Sequence, residues 1–315
     1  MKDILSDFLV MTSKGLYCTV GDFYLDPNTA VETAIISHAH GDHACRNNLT
    51  VYCTPPTKSF MVSRYRKNAA YKFIVFDYLS TFDIGDVRVT FYSAGHILGS
   101  AQVLLEYSGV RYLYTGDYKV QNDPTCAPLD YVRADVLITE STFANPDTKH
   151  PDVATEIKKL NGFSDNVLLG AYGLGKAQRL NCLINEHCPD KTVHLHYSIL
   201  PIHKIYEQYG VEFLRYKPYE RKALKTNSQN QIYMVPPLTF NSYFRAVNLK
   251  KVFASGWEHL QRNNDLSLYI SDHVDWHEIL DYISQVEPEE IWTLHGDGKF
   301  LEEYFRDRIV VKILN

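Results

Sequence analysis

The chain has 315 residues, a net charge of −5, 45% hydrophobic and 22% charged residues. That length supports one large or two moderate domains with an ample core. The acidic balance excludes wholesale attraction to polyanions, so any nucleic acid would have to bind a local basic patch. No apolar run approaches the ~18 residues of a membrane span. The first residues lack a signal peptide's apolar stretch and cleavage site. The six cysteines show no C-x-x-C spacing, which suits reduced thiols in a cytoplasm.

In chain order, "TAIIS" reads as an apolar strand and is followed at once by "HAHGDH", which places His38, His40, Asp42 and His43 within six positions. Residues 58–72, "KSFMVSRYRKNAAYK", carry Lys58, Arg64, Arg66, Lys67 and Lys72 with no acid, interleaved with Phe60, Tyr65 and Tyr71. Cations for phosphates and rings for bases suit a single strand; a solvated helix with an aromatic inner face is the plainer alternative. "VRVTFY" alternates as a half-buried strand does, and "VLLEYSGVRYLYTGD" predicts a hairpin turning at Ser108-Gly109. Asp152 can cap a helix bearing Val153, Ile157 and Leu160. "NVLLG" and "KTVHLHY" read as strands, and His194 and His196 in the latter share one face as structural residues. Asp275 and Glu278 form a capping-box pair ahead of a helical stripe of Trp276, Ile279, Leu280 and Ile283. A strand, "EIWTL", follows.

Ionisable residues recur at the ends of these strands. His38 follows "TAIIS", Asp117 follows "RYLYTG", Glu140 follows "DVLIT" and His295 follows "EIWTL". His96 follows another strand, beside glycines that allow close backbone approach. With the opening cluster this makes seven metal-ligand candidates: His38, His40, Asp42, His43, His96, Asp117 and His295. Seven ligands suit two divalent ions, zinc with manganese as the alternative, better than one. His38, His40 and His96 would take one ion and Asp42, His43 and His295 the other, with Asp117 bridging. Such a site attracts phosphate and lowers the pKa of its water to roughly 7. A surface His-rich loop beside unrelated core histidines is the bland alternative, and the H-x-H-x-D-H spacing directly after an apolar strand argues against it.

"GAYGLGK", residues 170–176, has most of a phosphate-binding loop, but Ala177 stands where a magnesium-ligating Ser or Thr belongs. Nucleotide hydrolysis is therefore not expected. Glycine N–H groups at a helix start, with Lys176, still suit a nucleic-acid phosphate, so Gly175 and Lys176 join Arg64, Arg66 and Lys67 as substrate-binding candidates. A packing turn is the alternative. A weaker basic run spans Arg215 to Lys225.

"HAHGDH" resembles the signature of the metallo-β-lactamase superfamily. "AGHILGSA", "TGDY", "TEST", "SDHVD" and "LHGD" occur in the order seen in the β-CASP nucleases, over nearly the whole chain. "GLYCTVGDFYLDP", "HILGSAQ", "GDYKVQNDPTCAP" and "ESTF" are more closely similar to the bacterial ligase-associated DNA exonucleases. The resemblance implies an α/β fold, an αββα sandwich formed by residues 1–145 and 266–315, with an α/β β-CASP domain inserted at 146–265. It implies that Glu140 and His273 assist the leaving group, with Asp42 the third catalytic candidate, and that Asp26 supports the site. It implies a two-metal DNA exonuclease of end repair, in the cytoplasm, whose partners are DNA and a ligase and helicase of the same pathway. His295 departs from this. Histidine there is usual in RNA-cutting members, so an RNase of the same fold is the alternative, followed by a non-catalytic nucleic-acid-binding subunit and a small-molecule hydrolase.

Overall fold

The computed structural model describes residues 3–213, 215–220, 229–242 and 249–314. The chain divides into two compact units, residues 1–149 with 273–315, and residues 150–272. The first unit contains a six-stranded and a seven-stranded sheet. In the six-stranded sheet the strands run in sequence order, from Leu9–Thr12 to Ala70–Val75. The seven-stranded sheet begins as a meander, Thr81–Ile84, Val87–Ser93, Ala101–Tyr107 and Val110–Tyr114. It continues in parallel through Val136–Ser141, Glu290–Gly296 and Val310–Ile313. The hairpin turns at Ser108 and Gly109, with φ of 51° and 79°. Two successive positive φ values match the right-handed twist of the flanking strands.

Period-two side-chain alternation builds the layers. Val103, Leu105, Tyr112, Tyr114, Val136, Ile138 and Trp292 join Phe23, Leu25 and Ile35 in a core between the two sheets. Their neighbours Leu104, Leu113, Leu137 and Ile291 point the other way, onto the helix Trp276–Val286. Ala34, Ile36 and Val51 likewise face the helix Pro55–Tyr65 through Met61. The result is helix, sheet, sheet, helix. Asp275 caps the helix at Trp276 through Glu278 N, and Glu278 returns a bond to the backbone of Asp275.

The second unit is built on a six-stranded, all-parallel sheet. Val167, Leu169, Ile232 and Met234 face one core and Leu168, Tyr233 and Val235 the other, as expected for a sheet covered on both sides. Its boundaries differ from the sequence expectation of 146–265. Leu266–Leu268 pairs in parallel with Leu249–Ala254, so the chain leaves this sheet later than the resemblance implies. Asp152 caps its first helix at Thr155 N, as its sequence signals.

Strand direction in the first unit aligns the ends that matter. Val110–Tyr114, Val136–Ser141 and Glu290–Gly296 are mutually parallel. Val87–Ser93 runs the same way, because two antiparallel steps separate it from Val110–Tyr114. The segments carrying His96, Asp117, Glu140 and His295 therefore emerge at one edge. Phe23–Leu25 and Thr33–Ile35, also parallel, end just before Asp26 and Ser37. Glu140 and His295 differ from the sequence expectation in lying within the last residues of their strands. The register shifts between Glu140 and Ser141, and His295 has a φ of 51°; both irregularities re-aim side chains at a sheet end.

Candidate metal centre

Four ligand atoms converge in the first unit. His38 Nε2 and His96 Nε2 each lie 3.1 Å from His40 Nδ1. The same two nitrogens lie 3.4 and 3.7 Å from Asp117 Oδ2. Ligands of a tetrahedral zinc, each about 2.05 Å from it, stand about 3.3 Å apart. His38, His40, His96 and Asp117 thus have the spacing of one cation's coordination sphere.

The hydrogen bonds around these rings determine which nitrogens carry lone pairs. Asp26 accepts from Ser37 N at 2.7 Å, from Ser37 Oγ, from His43 Nδ1 at 2.8 Å and from Tyr114 Oη at 2.9 Å. Burial pushes the Asp26 carboxyl up, yet His43, His38 and Ser37 outweigh it and hold the group below the ordinary range. An ionised Asp26 only accepts, so it consumes the one proton of Ser37 Oγ. Ser37 Oγ, 3.0 Å from His38 Nδ1, must then accept from it. His38 Nε2 is left bare and aimed at the cluster. His40 Nδ1 faces His38 Nε2 and His96 Nε2 alike. A divalent cation could take all three nitrogens, and an imidazole braced on its far nitrogen, as His38 is by Ser37, is the usual form of such a ligand.

Asp117 presents its second oxygen elsewhere. Oδ1 is 3.3 Å from His43 Nε2 while Oδ2 faces His38 and His96. Burial raises the Asp117 carboxyl, but His43 and His273, with the bonds from His38 and His43, hold it well below its ordinary value. Burial lowers His43, but Asp117 and Asp26 raise it well above the ordinary 6.5. Burial keeps His96 well below 6.5, reinforced by its neighbours His38 and His40, which favours the neutral, ligating ring.

The second group is less drawn together. Asp42 is 76% exposed at its side chain, and its Oδ2 lies 4.0 Å from His43 Nε2. The His295 ring stands 4.9 Å from that of His43. Among the described residues, neither Asp42 nor His295 falls within a converged ligand group.

Beside the cluster, His273 Nδ1 lies 2.8 and 3.0 Å from the two Glu140 oxygens. Glu140 is buried and also accepts from Tyr118 N at 3.0 Å. His273 Nδ1 donates to this carboxylate, which leaves Nε2 as the opposite nitrogen of the ring. Its ring is 5.1 Å from that of His96, and its side chain is 26% exposed. The glycine of "TGD" makes the assembly possible. Gly116 has a φ of +54°, and a Cβ there would stand 2.6 Å from Ser37 Oγ.

The substrate-binding candidates divide. Lys176 is only 4% exposed. Its ammonium donates to Ile270 O at 2.5 Å and pairs with Asp272 at 3.0 Å. Gly175 N donates to Gln178 Oε1 at 2.7 Å. The cation and the amide expected to cradle a phosphate are thus both engaged inside the second unit. Arg64 donates from Nη1 to Ala39 O at 2.8 Å and so braces the backbone between His38 and His40. Arg66 and Lys67 are exposed. Arg215 caps the end of the helix Lys176–His187 through Asn185 O; Arg221, Lys222 and Lys225 of that run lie outside the described residues. His194 stacks on Tyr233 with ring centroids 5.0 Å apart and meets Gln231 at 2.7 Å, a structural role. Ser37 and Tyr114 escaped sequence reasoning as site residues, since nothing local marks a hydroxyl as a partner of a distant ligand; Arg64 was expected to meet substrate phosphate, and its bond to Ala39 O was not foreseen.

No family model matches the chain. It is 28% identical over 314 residues, 95% of its length, to 30% of a "Probable DNA ligase" of Opitutus terrae. It is 30% identical over 206 residues, 56% of its length, to 49% of an "RNase J-like protein" of Methanocaldococcus jannaschii. It is 31% identical over 217 residues, 55% of its length, to 28% of the "Endoribonuclease YSH1" of Eremothecium gossypii. The chain thus spans between about a quarter and a half of the length of these relatives. A crystal structure of an Enterococcus faecalis protein of unknown function shares the fold, with a TM-score of 0.63 over 90% of this chain and 79% of that one at 15% identity. These relatives, together with the motifs, fit the metallo-β-lactamase superfamily and, within it, the β-CASP group.

Proposed function

We propose that this chain is a metal-dependent nuclease that hydrolyses phosphodiester bonds, acting as an exonuclease on DNA ends. The convergence of His38, His40, His96 and Asp117 beside the His273–Glu140 pair carries this assignment. His38, His40 and His96 would hold one divalent ion, zinc or manganese, and Asp42, His43 and His295 the other, with an Asp117 oxygen toward each. Bound cations would supply an activated water and charge neutralisation for the scissile phosphate. Hydrolysis breaks a P–O bond and expels an alkoxide, which needs a proton. His273 Nε2 is the donor, because Glu140 fixes the opposite nitrogen as N–H and orients the ring. General-acid donation of this kind contributes typically ~10²–10⁴-fold. Asp42, an exposed carboxylate 4.0 Å from His43 Nε2, would receive the proton of the attacking water. Arg66 and Lys67 serve the phosphate backbone.

DNA is favoured by the relative matched across nearly the whole chain, which is named as a probable DNA ligase. That name is also in keeping with a ligase as partner; a helicase of the same pathway, in the cytoplasm, rests on the resemblance of the sequence motifs alone. RNA is the second reading, because several shorter matches are named as endoribonucleases and His295 resembles the RNA-cutting form. Among the described residues no helix is long and apolar enough to cross a membrane. Labelled single- and double-stranded DNA and RNA, incubated with the protein and zinc or manganese, separate these readings. Shortening of DNA from an end is expected. Cleavage confined to RNA would select the second reading, and cleavage of neither would remove the nuclease assignment.

A further inference from the structure

We propose that Lys119, through its buried pair with Asp123, is a positioning residue that sets the metal ligand His96. This rests on the reading of His96 as a ligand. Lys119 follows Asp117 by two residues, yet its side chain is wholly buried and turned toward a different loop. Its Nζ donates to His96 O at 3.1 Å and to Asp123 Oδ2 at 2.6 Å. Its own backbone N donates to Ala94 O at 3.1 Å. Asp123 is fixed in turn by Thr125 N at 2.9 Å and Thr125 Oγ1 at 2.7 Å on Oδ1. Cys126 Sγ reaches Gly95 O at 3.3 Å. Residues 119–126 therefore grip the backbone of residues 94–96 at three carbonyls.

A buried ion pair is weak evidence for stability, because desolvation consumes most of its Coulomb gain and apolar replacement of both partners is often neutral. What an ammonium adds is directed N–H donors. One is spent on the carbonyl of a residue whose imidazole must sit within tenths of an ångström of its ligand position. Gly95 underlines how close the two loops run: it has a φ of +67°, and a Cβ there would collide with Lys119 O. The ligand His96 is thus held to the loop of the ligand Asp117 by a cation rather than by packing alone. Groups that orient metal ligands typically tune metal affinity by about 10- to 100-fold.

The test compares Lys119→Met, Lys119→Met with Asp123→Asn, and His96→Ala in the full chain. Asn at position 123 keeps an acceptor for Thr125 while removing the orphaned charge. Zinc content and zinc affinity, by competition with a chromophoric chelator, are read beside the thermal midpoint of the metal-free protein. The expected result is about a 10- to 100-fold loss of affinity for one ion in the double variant, with a metal-free midpoint close to wild type. Unchanged affinity in the double variant, with His96→Ala defective, overturns the positioning role alone. Wild-type affinity in His96→Ala overturns the ligand reading on which it rests. If neither Lys119 variant folds, the pair is a folding element and the positioning role is overturned as well.

Discussion

Asp26→Asn changes one atom's chemistry in a carboxylate that takes four hydrogen bonds. Three donors, Ser37 Oγ, His43 Nδ1 and Tyr114 Oη, point at Oδ2, and one, Ser37 N, points at Oδ1. The amide oxygen must take the Oδ2 place, since the amide nitrogen cannot accept from three donors. Its NH₂ then faces Ser37 N–H across 2.7 Å. Leaving that buried donor unsatisfied costs roughly 1–3 kcal/mol, and replacing the charge-assisted bond to His43 by a neutral one loses about 1 kcal/mol more. The metal-free variant should be about 2–4 kcal/mol less stable in denaturant titration. Because Asp26 also fixes the Nδ1–H form of His43 and, through Ser37, of His38, metal affinity should fall by about 10- to 100-fold. Wild-type stability together with wild-type affinity would refute Asp26 as the organiser of these rings.

His273→Ala should retain metal and bind substrate while slowing cleavage of natural phosphodiesters by ~10²–10⁴-fold. The defect should shrink on a nitrophenyl phosphodiester, whose leaving group needs no proton, and equal losses on both would exclude a general acid. In the metal-free protein His43 is raised well above 6.5 by Asp117 and Asp26 despite its burial. Its stabilisation is therefore present in full below about 6.5 and lost as pH rises through the folded value. The same proton competes with metal, so zinc affinity should climb with pH across that window, and a flat profile would show that His43 takes no part. Lys176→Ala should destabilise the second unit by about 1–3 kcal/mol, because Ile270 O and Asp272 Oδ2 lose a buried donor while Arg179 stays paired with Asp272 Oδ1 at 2.9 Å, measured by unfolding, with nucleic-acid binding unchanged at temperatures where the variant is folded.

What sequence could disclose here was local. The Ser108-Gly109 turn and the Asp275–Glu278 capping box depend on neighbours within a few residues, and each stands in the structure where its pattern indicated. The candidate ligands were legible because apolar strands announce their own ends, and parallel strands share an edge. The surroundings of Lys176 were hidden for the complementary reason: a glycine-rich loop before a helix looks the same whether its lysine faces solvent or a distant acid. Only the fold brings Asp272 to it. Lys119 and Asp123 carry an i, i+4 spacing, but no spacing reveals that His96 O is the third partner. The looser set of Asp42, His43 and His295 shows the same limit, since a motif can name ligands without fixing how tightly their side chains converge.

Cleavage as a function of metal content is the most direct measurement. Protein stripped by a chelator should not cleave labelled DNA or RNA, and activity should return as zinc or manganese is added, levelling at two ions per chain by native mass spectrometry. His38→Ala and His96→Ala should fail to recover at the same metal concentration. Full cleavage by stripped protein, or undiminished cleavage by both variants, would contradict a nuclease built on this metal centre.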